Sequence, residues 1–587
     1  MRYTTLDALP YERILSIDFE YEDGGVAGNV PRPVCFVVRD FKTGSLKRYW
    51  RDELLSMTVA PFDIGSETLV VAYFAPAEIQ CFMALGWPMP ENLLDLFAEF
   101  RCLTNGQYLA YGKGLVGALR YFDLERFVPA QKDVMRQLIA SGGPWSADQE
   151  TAILDYCQED VDALEPLFAA MLAHEPWTFE LLGQALMRGR YTAAVGVMQF
   201  NGIPIDLQIY RRLQKNLPAV KSRLIAHVDA AFGVYEASSF REALFEEYLA
   251  THGIAWPRLA TGRLKLDRDT FSAMSNRHPR IRPLHELRKT LGEIRKTSLS
   301  VGDDGWNRTI LSPFRSKTGR NQPGSSKFVF GPSKWFRGLI KPTEGTAVAY
   351  LDWGSQEIAI AAALSGDDLL WEAYDSGDPY IAFAIQAGLA PKGATKTSHK
   401  AIRDRCKPIV LGVNYGMSAE GAAATAGIHV LEARDLLQKH RETYRKFWKW
   451  ADENKDRGLL GLPLRTCFGW QIQATDGVVK ANTFLNWPMQ AHGAEMMRLA
   501  CCLAVARGIK LCAPIHDALL IEAPIDRIDE DVATLKQCMA DASELVLGQG
   551  RVCRVDAEII RYPDRYMDEN GIAMWDQVMG VLDELEG

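Results

Sequence analysis

The sequence predicts a multidomain protein of mixed α/β and α+β class. Three observations carry this. The chain has 587 residues, enough for about three or four domains by the usual size prior. Its first ~170 residues alternate strand-like apolar runs with amphipathic helices. The remainder is helix-rich, broken by a loop-rich basic passage and by short apolar strands. Apolar residues make up 48% and charged residues 24%, the balance of an ordinary globular protein.

Taken in order, "RILSIDFEYE" and "SETLVVAYFA" predict strands, and "DQETAILDYCQEDVDALEPLFAAMLA" has helical spacing throughout. A helical passage from Glu175 ends in the turn signal "NGIPID". Helices follow from Asp206 to about Leu299, and then loops to Pro342. "TAVAYLDW" is a strand and "QEIAIAAALSGDDLLWEAYDSG" is helical. "SHKAIRDRCKPIVLGVNYGM" is one long helix, as is "NWPMQAHGAEMMRLACCLAVARGI". "LCAPIHDALLIEAP" is two apolar runs with His516 and Asp517 at the tip between them. No internal repeat is present.

The eleven cysteines are scattered without a CxxC pair, so neither zinc nor a disulfide framework is indicated, and a reducing cytoplasm is expected. The first residues carry Asp7 and Glu12 and no apolar core, unlike a signal peptide. No run reaches the ~18 apolar residues of a membrane span. The formal net charge is −8, yet from Arg280 to Lys341 Lys and Arg outnumber Asp and Glu by ten. That stretch is either a solvated face or a surface that neutralises phosphates.

Two carboxylate groups stand out. In "SIDFEYE", Asp18 and Glu20 share one face of a strand, where they repel unless a cation lies between them. In "YCQEDVD", Tyr156 and Asp160 share a helical face. Together these residues suit hard-oxygen metal ligation and phosphodiester cleavage. The second group pairs Asp352, at the end of an apolar strand, with Asp517. Between them in sequence, Arg403 and Lys407 lie four apart with Leu411 and Tyr415 continuing the stripe. This is a nucleotide clamp of charge for phosphates and apolar surface for base or sugar, or else an amphipathic helix with a solvated basic end.

The first group resembles the proofreading 3′–5′ exonuclease domain of the DnaQ-like, ribonuclease-H-fold class. Asp-x-Glu is that family's first motif and Tyr-x-x-x-Asp its third. In "AYFAPAEIQCF" the second motif offers Glu78 where the family has Asp, and Phe74 where it often has Asn. Asp95 supports the register. "LDWGSQE", "RDRCKPIVLGVNYG" and "IHDA" resemble motifs A, B and C of the family A DNA polymerases, in the right order.

The resemblance implies a ribonuclease-H-like exonuclease domain over 1–175 and a right-hand polymerase domain over 176–587. The thumb would span about 206–299, the palm about 176–205, 300–362 and 460–587, and the fingers about 363–459. It implies that Asp352 and Asp517 bind catalytic metal and that Glu357 gates against a ribose 2′-hydroxyl. Arg403, Lys407, Tyr415, Leu411 and Tyr380 would meet the incoming nucleotide, with Lys407 a proton donor and His516 beside the primer end. Arg320, Asn486 and Gln490 would contact DNA. Asp18, Glu20, Glu78 and Asp160 would ligate metal for editing, beside Tyr156. The implied cofactor is Mg²⁺, two ions per active site, with Mn²⁺ a substitute. The implied partners are primer-template DNA, dNTPs and replication accessory proteins, for a cytoplasmic monomer.

This sequence departs from the family at Leu411, where an aromatic is usual, at Ala518, where Glu is usual, and at Tyr380, where His is common. With no room for a 5′-nuclease before Asp18, the chain looks like a bacteriophage or prophage replicative enzyme. The alternatives are a repair polymerase with weak editing, a nuclease whose polymerase half only holds DNA, and a non-catalytic DNA-binding scaffold.

Overall fold

Arg13–Glu22 (β1) runs through a five-stranded sheet with Arg32–Asp40 (β2), Leu46–Trp50 (β3), Thr68–Ala72 (β4) and Asn92–Asp95 (β5), in the order β3-β2-β1-β4-β5. β1 pairs antiparallel with β2 and parallel with β4. The computed structural model describes residues 2–127, 132–296, 298–474, 479–548 and 550–586.

Alternation along β1 assigns its two faces. Leu15, Ile17 and Phe19 pack with Phe36, Ile79 and Phe82, the last two from the helix Pro76–Leu85 (α1). The even-numbered residues face the helices Lys132–Ala140 (α2) and Ala147–His174 (α3), and Ile14 joins the core formed with Leu164, Leu167 and Phe168 of α3. Ser146 caps α3, its hydroxyl accepting the Gln149 N–H while the Gln149 side chain accepts the Ser146 N–H. The helix Phe179–Asn201 (α4) lies tight on β5: a Cβ at Gly189 would fall 1.9 Å from the Leu93 carbonyl oxygen, so only glycine permits this approach.

A second, four-stranded sheet holds Thr346–Trp353 (β6), Leu511–Ile515 (β7), Ala518–Pro524 (β8) and Val555–Arg561 (β9), in the order β7-β8-β6-β9. β7 and β8 form a hairpin in which Ile515 faces Ala518, leaving His516 and Asp517 as the two-residue loop. Around this sheet lie Gln356–Ser365 (α5), Pro379–Gln386 (α6), Lys400–Gly412 (α7) and Ala481–Ala506 (α8).

The chain forms two compact units. One comprises residues 1–201, 311–322 and 348–559, and so holds both carboxylate groups; the other comprises 202–310, 323–347 and 560–587. In the second unit the helices Leu207–Asp229, Glu242–Thr251, Arg268–Arg277 and Arg282–Lys296 run in succession. Phe245, Trp256, Phe271 and Leu284 form a core there. Arg212 near its start pairs with Asp583 and Glu586 near the chain's end.

Two expected helices are shorter than the sequence suggests. The span from Gln356 breaks at Gly366, which adopts φ 64°, before Asp367 caps a new helix. The motif helix stops at Gly412; Val413–Tyr415 is a tighter 3₁₀ turn closed by Gly416 at φ 65°. Tyr415 therefore leaves the α-helical stripe that Arg403, Lys407 and Leu411 follow.

The basic stretch is partly consumed inside its own unit. Arg288 lies over the Phe240 and Phe271 rings, Arg308 pairs with Asp304, and Lys334 and Arg337 both pair with Asp568. Lys341 pairs with Asp206. The bland reading thus holds for these residues. Thr297 and the side chains of Glu293, Arg295 and Lys296 lie outside the described residues.

Candidate active sites

On β1, the face that meets α3 carries Asp18 and Glu20, and α3 supplies Asp160. Carboxylate oxygens of the three lie within 4.8 Å of one another. Glu78 of α1, 3% exposed, is not within that group of three; it accepts the Phe19 N–H, between Asp18 and Glu20, at 2.8 Å. Burial, then the charge of Glu78, pushes Asp18 well above the usual carboxylate range. Burial, then Asp160, pushes Glu20 up to about 8. Carboxylates this close keep their charge only with a cation among them. The hard-oxygen donor set fits a divalent ion of the Mg²⁺ or Mn²⁺ type.

Asp95 does not join this cluster. Its carboxylate accepts the N–H groups of Phe74, at 2.9 Å, and Ala75, at 3.0 Å. It thereby fixes the turn into α1, where Phe74 sits at φ 76°. Asp95 is the brace that aims Glu78, a positioning task its sequence register alone did not reveal. Tyr156 stands one helical turn before Asp160, its hydroxyl held protonated by burial and then by Asp160.

Sequence reasoning missed the cation in this group. Lys132 of α2 donates to both oxygens of Asp160, at 2.8 and 3.1 Å, and its ammonium lies 5.8 Å from the Tyr156 ring centroid. Lys132 and Arg136 both lower the pKa of Glu20. A lone lysine on an amphipathic helix gives no sequence signal of this pairing.

The second group forms where β6 meets the β7–β8 turn. The Trp353 N–H donates to the Asp517 carbonyl at 3.3 Å. His516 takes a left-handed φ of 55°, uncommon for a residue with a Cβ. Burial, then the charges of Asp517 and Asp556, raises Asp352 to about 7. Asp352 Oδ1 is buried and has no hydrogen-bond partner among the described residues.

Arg320 Nε, Asn486 Nδ2 and Gln356 Oε1 share that condition among the described residues. Buried polar atoms are nearly always paired. Gly493 of α8 brings two of these side chains together: a Cβ there would lie 2.8 Å from Gln356 Oε1 and 3.2 Å from an Arg320 guanidinium nitrogen.

Beside them, Tyr415 donates to Glu357 at 2.6 Å, and Gln490 donates to Glu357 and, at 2.9 Å, to the Tyr415 hydroxyl. Burial, then Glu357, raises the Tyr415 pKa. This triangle holds Glu357, in the first turn of α5, at a fixed place.

On α7, Arg403 bonds Asp378 at 2.5 Å and lies 5.1 Å from the Tyr380 ring centroid; Lys407 lies 5.7 Å from the same ring. Asp378 also caps α6, accepting the Tyr380 and Ile381 N–H groups. Tyr380 thus stacks both cations side by side. Leu411 and Tyr415 are 38% and 50% exposed. Asp378 was not among the expected site residues, although "GDP" before a helix is a cap signature.

The family model described as DNA polymerase family A matches residues 207–555. DNA polymerase I of Aquifex aeolicus (strain VF5) is 24% identical over 386 residues, covering 62% of this chain and 64% of that protein. The thermostable DNA polymerase I of Thermus thermophilus is 23% identical over 396 residues, covering 62% of this chain and 46% of that one. The matches thus span under two thirds of these relatives. Among solved structures, the POL domain of Pol1 from M. smegmatis, in complex with DNA primer-template and dNTP, superposes with a TM-score of 0.66 at 16% identity, covering 93% of this chain and 95% of that one. That likeness is one of fold.

Proposed function

The chain belongs to DNA polymerase family A, and from that premise we propose that it is a template-directed DNA polymerase that adds dNTPs to a primer 3′ end. The observation that carries this reading is Asp352 beside Asp517, with a buried, unpartnered carboxylate oxygen on Asp352. Asp352 and Asp517 would hold Mg²⁺. When bound, that cation supplies the charge that stabilises phosphoryl transfer.

The chain's own groups do the rest. Arg403 and Lys407, stacked on Tyr380, bind the triphosphate, and Lys407 offers its proton toward departing pyrophosphate. Glu357, fixed by Tyr415 and Gln490, closes the space a ribose 2′-hydroxyl would need. Arg320 and Asn486 offer unpartnered donors to DNA. His516 borders the primer terminus.

The cluster of Asp18, Glu20 and Asp160, with Glu78 beside it, supports a second activity, 3′–5′ removal of the primer end by metal-assisted hydrolysis, on a ribonuclease-H-like domain. Synthesis with editing in one compact unit suits DNA replication. The test is primer extension by the purified chain with Mg²⁺ and dNTPs. The reading predicts elongation that Asp352→Asn abolishes; no elongation by the unaltered chain refutes it.

A further inference from the structure

Residues 311–322 form neither helix nor strand, and they carry Arg320. Side chains from elsewhere in the same unit hold their backbone. Gln199 accepts the Leu311 N–H at 2.8 Å. Arg101 donates to the carbonyls of Phe314 and Arg315, both at 2.7 Å. Asn105 at 2.6 Å, Trp487 at 2.8 Å and Trp470 at 3.1 Å all donate to the Lys317 carbonyl. Arg498 donates to the Gly319 carbonyl at 3.1 Å. Ser312 and Phe314 take φ of 48° and 56°, a region that a residue with a Cβ keeps only where its surroundings over-determine it. The clamps on the neighbouring carbonyls supply that constraint.

Two of the clamps come from the side of the five-stranded sheet. Arg101 lies in the helix Leu96–Leu103, which follows β5, and Asn105 lies just beyond it. Arg101 has no carboxylate partner among the described residues, so its charge is directed at the two carbonyls. Asn105 is buried, and its amide also donates to Gln471 O at 2.7 Å. Gly106 permits this seating: a Cβ there would fall 2.4 Å from Gln473 O. At the far end of the turn, the Arg320 N–H donates to Ser316 Oγ at 2.8 Å. The Arg320 charge acts on the Tyr415 hydroxyl, lowering a pKa that burial and Glu357 raise. Its Nε is buried without a partner among the described residues. A buried donor left open in this way is built for a ligand or a water.

We propose that Arg101 and Asn105 are positioning residues for synthesis: they hold the turn over residues 314–319 and so aim Arg320 at primer-template DNA. The part of the chain that carries the editing carboxylates thereby also sets the grip on DNA at the other site. The proposal goes beyond the synthesis reading and rests on its assignment of Arg320 to DNA. The competing role for the two residues is packing between elements, which affects stability alone.

A double-mutant cycle on DNA affinity separates the two roles. The full chain carries Asp18→Ala throughout, so that the primer is not shortened, and binding of a fluorescent primer-template is read by anisotropy with Mg²⁺ and without dNTP. Arg101→Lys keeps the charge but cannot span two carbonyls. It should weaken binding about fivefold and leave the elongation rate at saturating DNA within about twofold. The double variant with Arg320→Ala should bind no more weakly than Arg320→Ala alone. Asn105→Ser, which removes the amide on Lys317 O, should repeat this pattern, and it carries the test if Arg101→Lys does not fold. Binding unchanged in both variants overturns the proposal, whatever their melting temperatures, and so do losses that multiply in the double variant; the synthesis reading survives either result. If Arg320→Ala binds as its parent does, the assignment of Arg320 to DNA fails and the proposal falls with it.

Discussion

The two carboxylate sites solve the same electrostatic problem differently. On β1 and α3, three half-buried acids come together, and a lysine of the same unit already bonds one of them. At the β6 end, Asp352 keeps a buried oxygen without a partner, while the cations Arg403 and Lys407 stand apart on the Tyr380 ring. In the first site a lysine of the chain offsets part of the charge. In the second, Arg403 is already paired with Asp378, and burial, then Asp517 and Asp556, raises Asp352 with no cation among the causes. The contrast teaches that carboxylate proximity alone does not define a site's readiness; the location of the nearest cation does.

The largest expected effect is on stability. Glu20 holds its proton to about pH 8 in the folded chain, whereas in the unfolded chain it releases it in the ordinary glutamate range. Between those limits the folded state binds more protons. Metal-free stability should therefore fall as pH rises, with Glu20 contributing up to about 1.4 kcal/mol per pH unit until about pH 8. Chemical denaturation across pH 5–9 measures this, and Glu20→Gln should flatten the slope. An equal slope in that variant would show that Glu20 contributes nothing to it.

Next comes the lysine. Lys132→Met removes the cation that occupies Asp160, and the Mn²⁺ midpoint for primer shortening should drop about threefold to tenfold. If shortening disappears while Mn²⁺ binding is unaltered, Lys132 serves the substrate and does not compete with the metal, which would erase half of the contrast.

At the other site, Tyr415→Phe deletes a hydrogen bond to Glu357 worth about 1 kcal/mol. Discrimination against ribonucleotides should weaken about fivefold, read from competing dNTP and rNTP incorporation. Leu411→Phe is expected to act least. It restores a planar ring at an exposed position and should change incorporation rate and dideoxynucleotide discrimination a few-fold at most. No change in either quantity would remove Leu411 from nucleotide selection.

What could be read from the sequence follows from how local each signal is. The turn at His516 and Asp517 was legible because two apolar runs flank it, and β1 was legible because Asp18 and Glu20 share its period of two. Arg403 and Lys407 fall on one helical face by spacing alone. That β6 lies between β8 and β9 was not legible, because strand pairing is a long-range property. Lys132 escaped for the same reason. The end of α7 at Gly412 was missed because the apolar pattern runs on through Val413 while the backbone tightens. The basic stretch overstated free charge, since Asp304, Asp568 and Asp206, the last two distant in sequence, neutralise part of it.

The central claim is that the two carboxylate groups serve two separate reactions. It is tested most directly with a 5′-labelled primer-template, with and without dNTPs, on the unaltered chain, Asp352→Asn and Asp18→Ala. The account predicts that Asp352→Asn loses elongation by about a thousandfold and still shortens the primer, while Asp18→Ala elongates normally and no longer shortens it. Loss of both activities in either variant would contradict it.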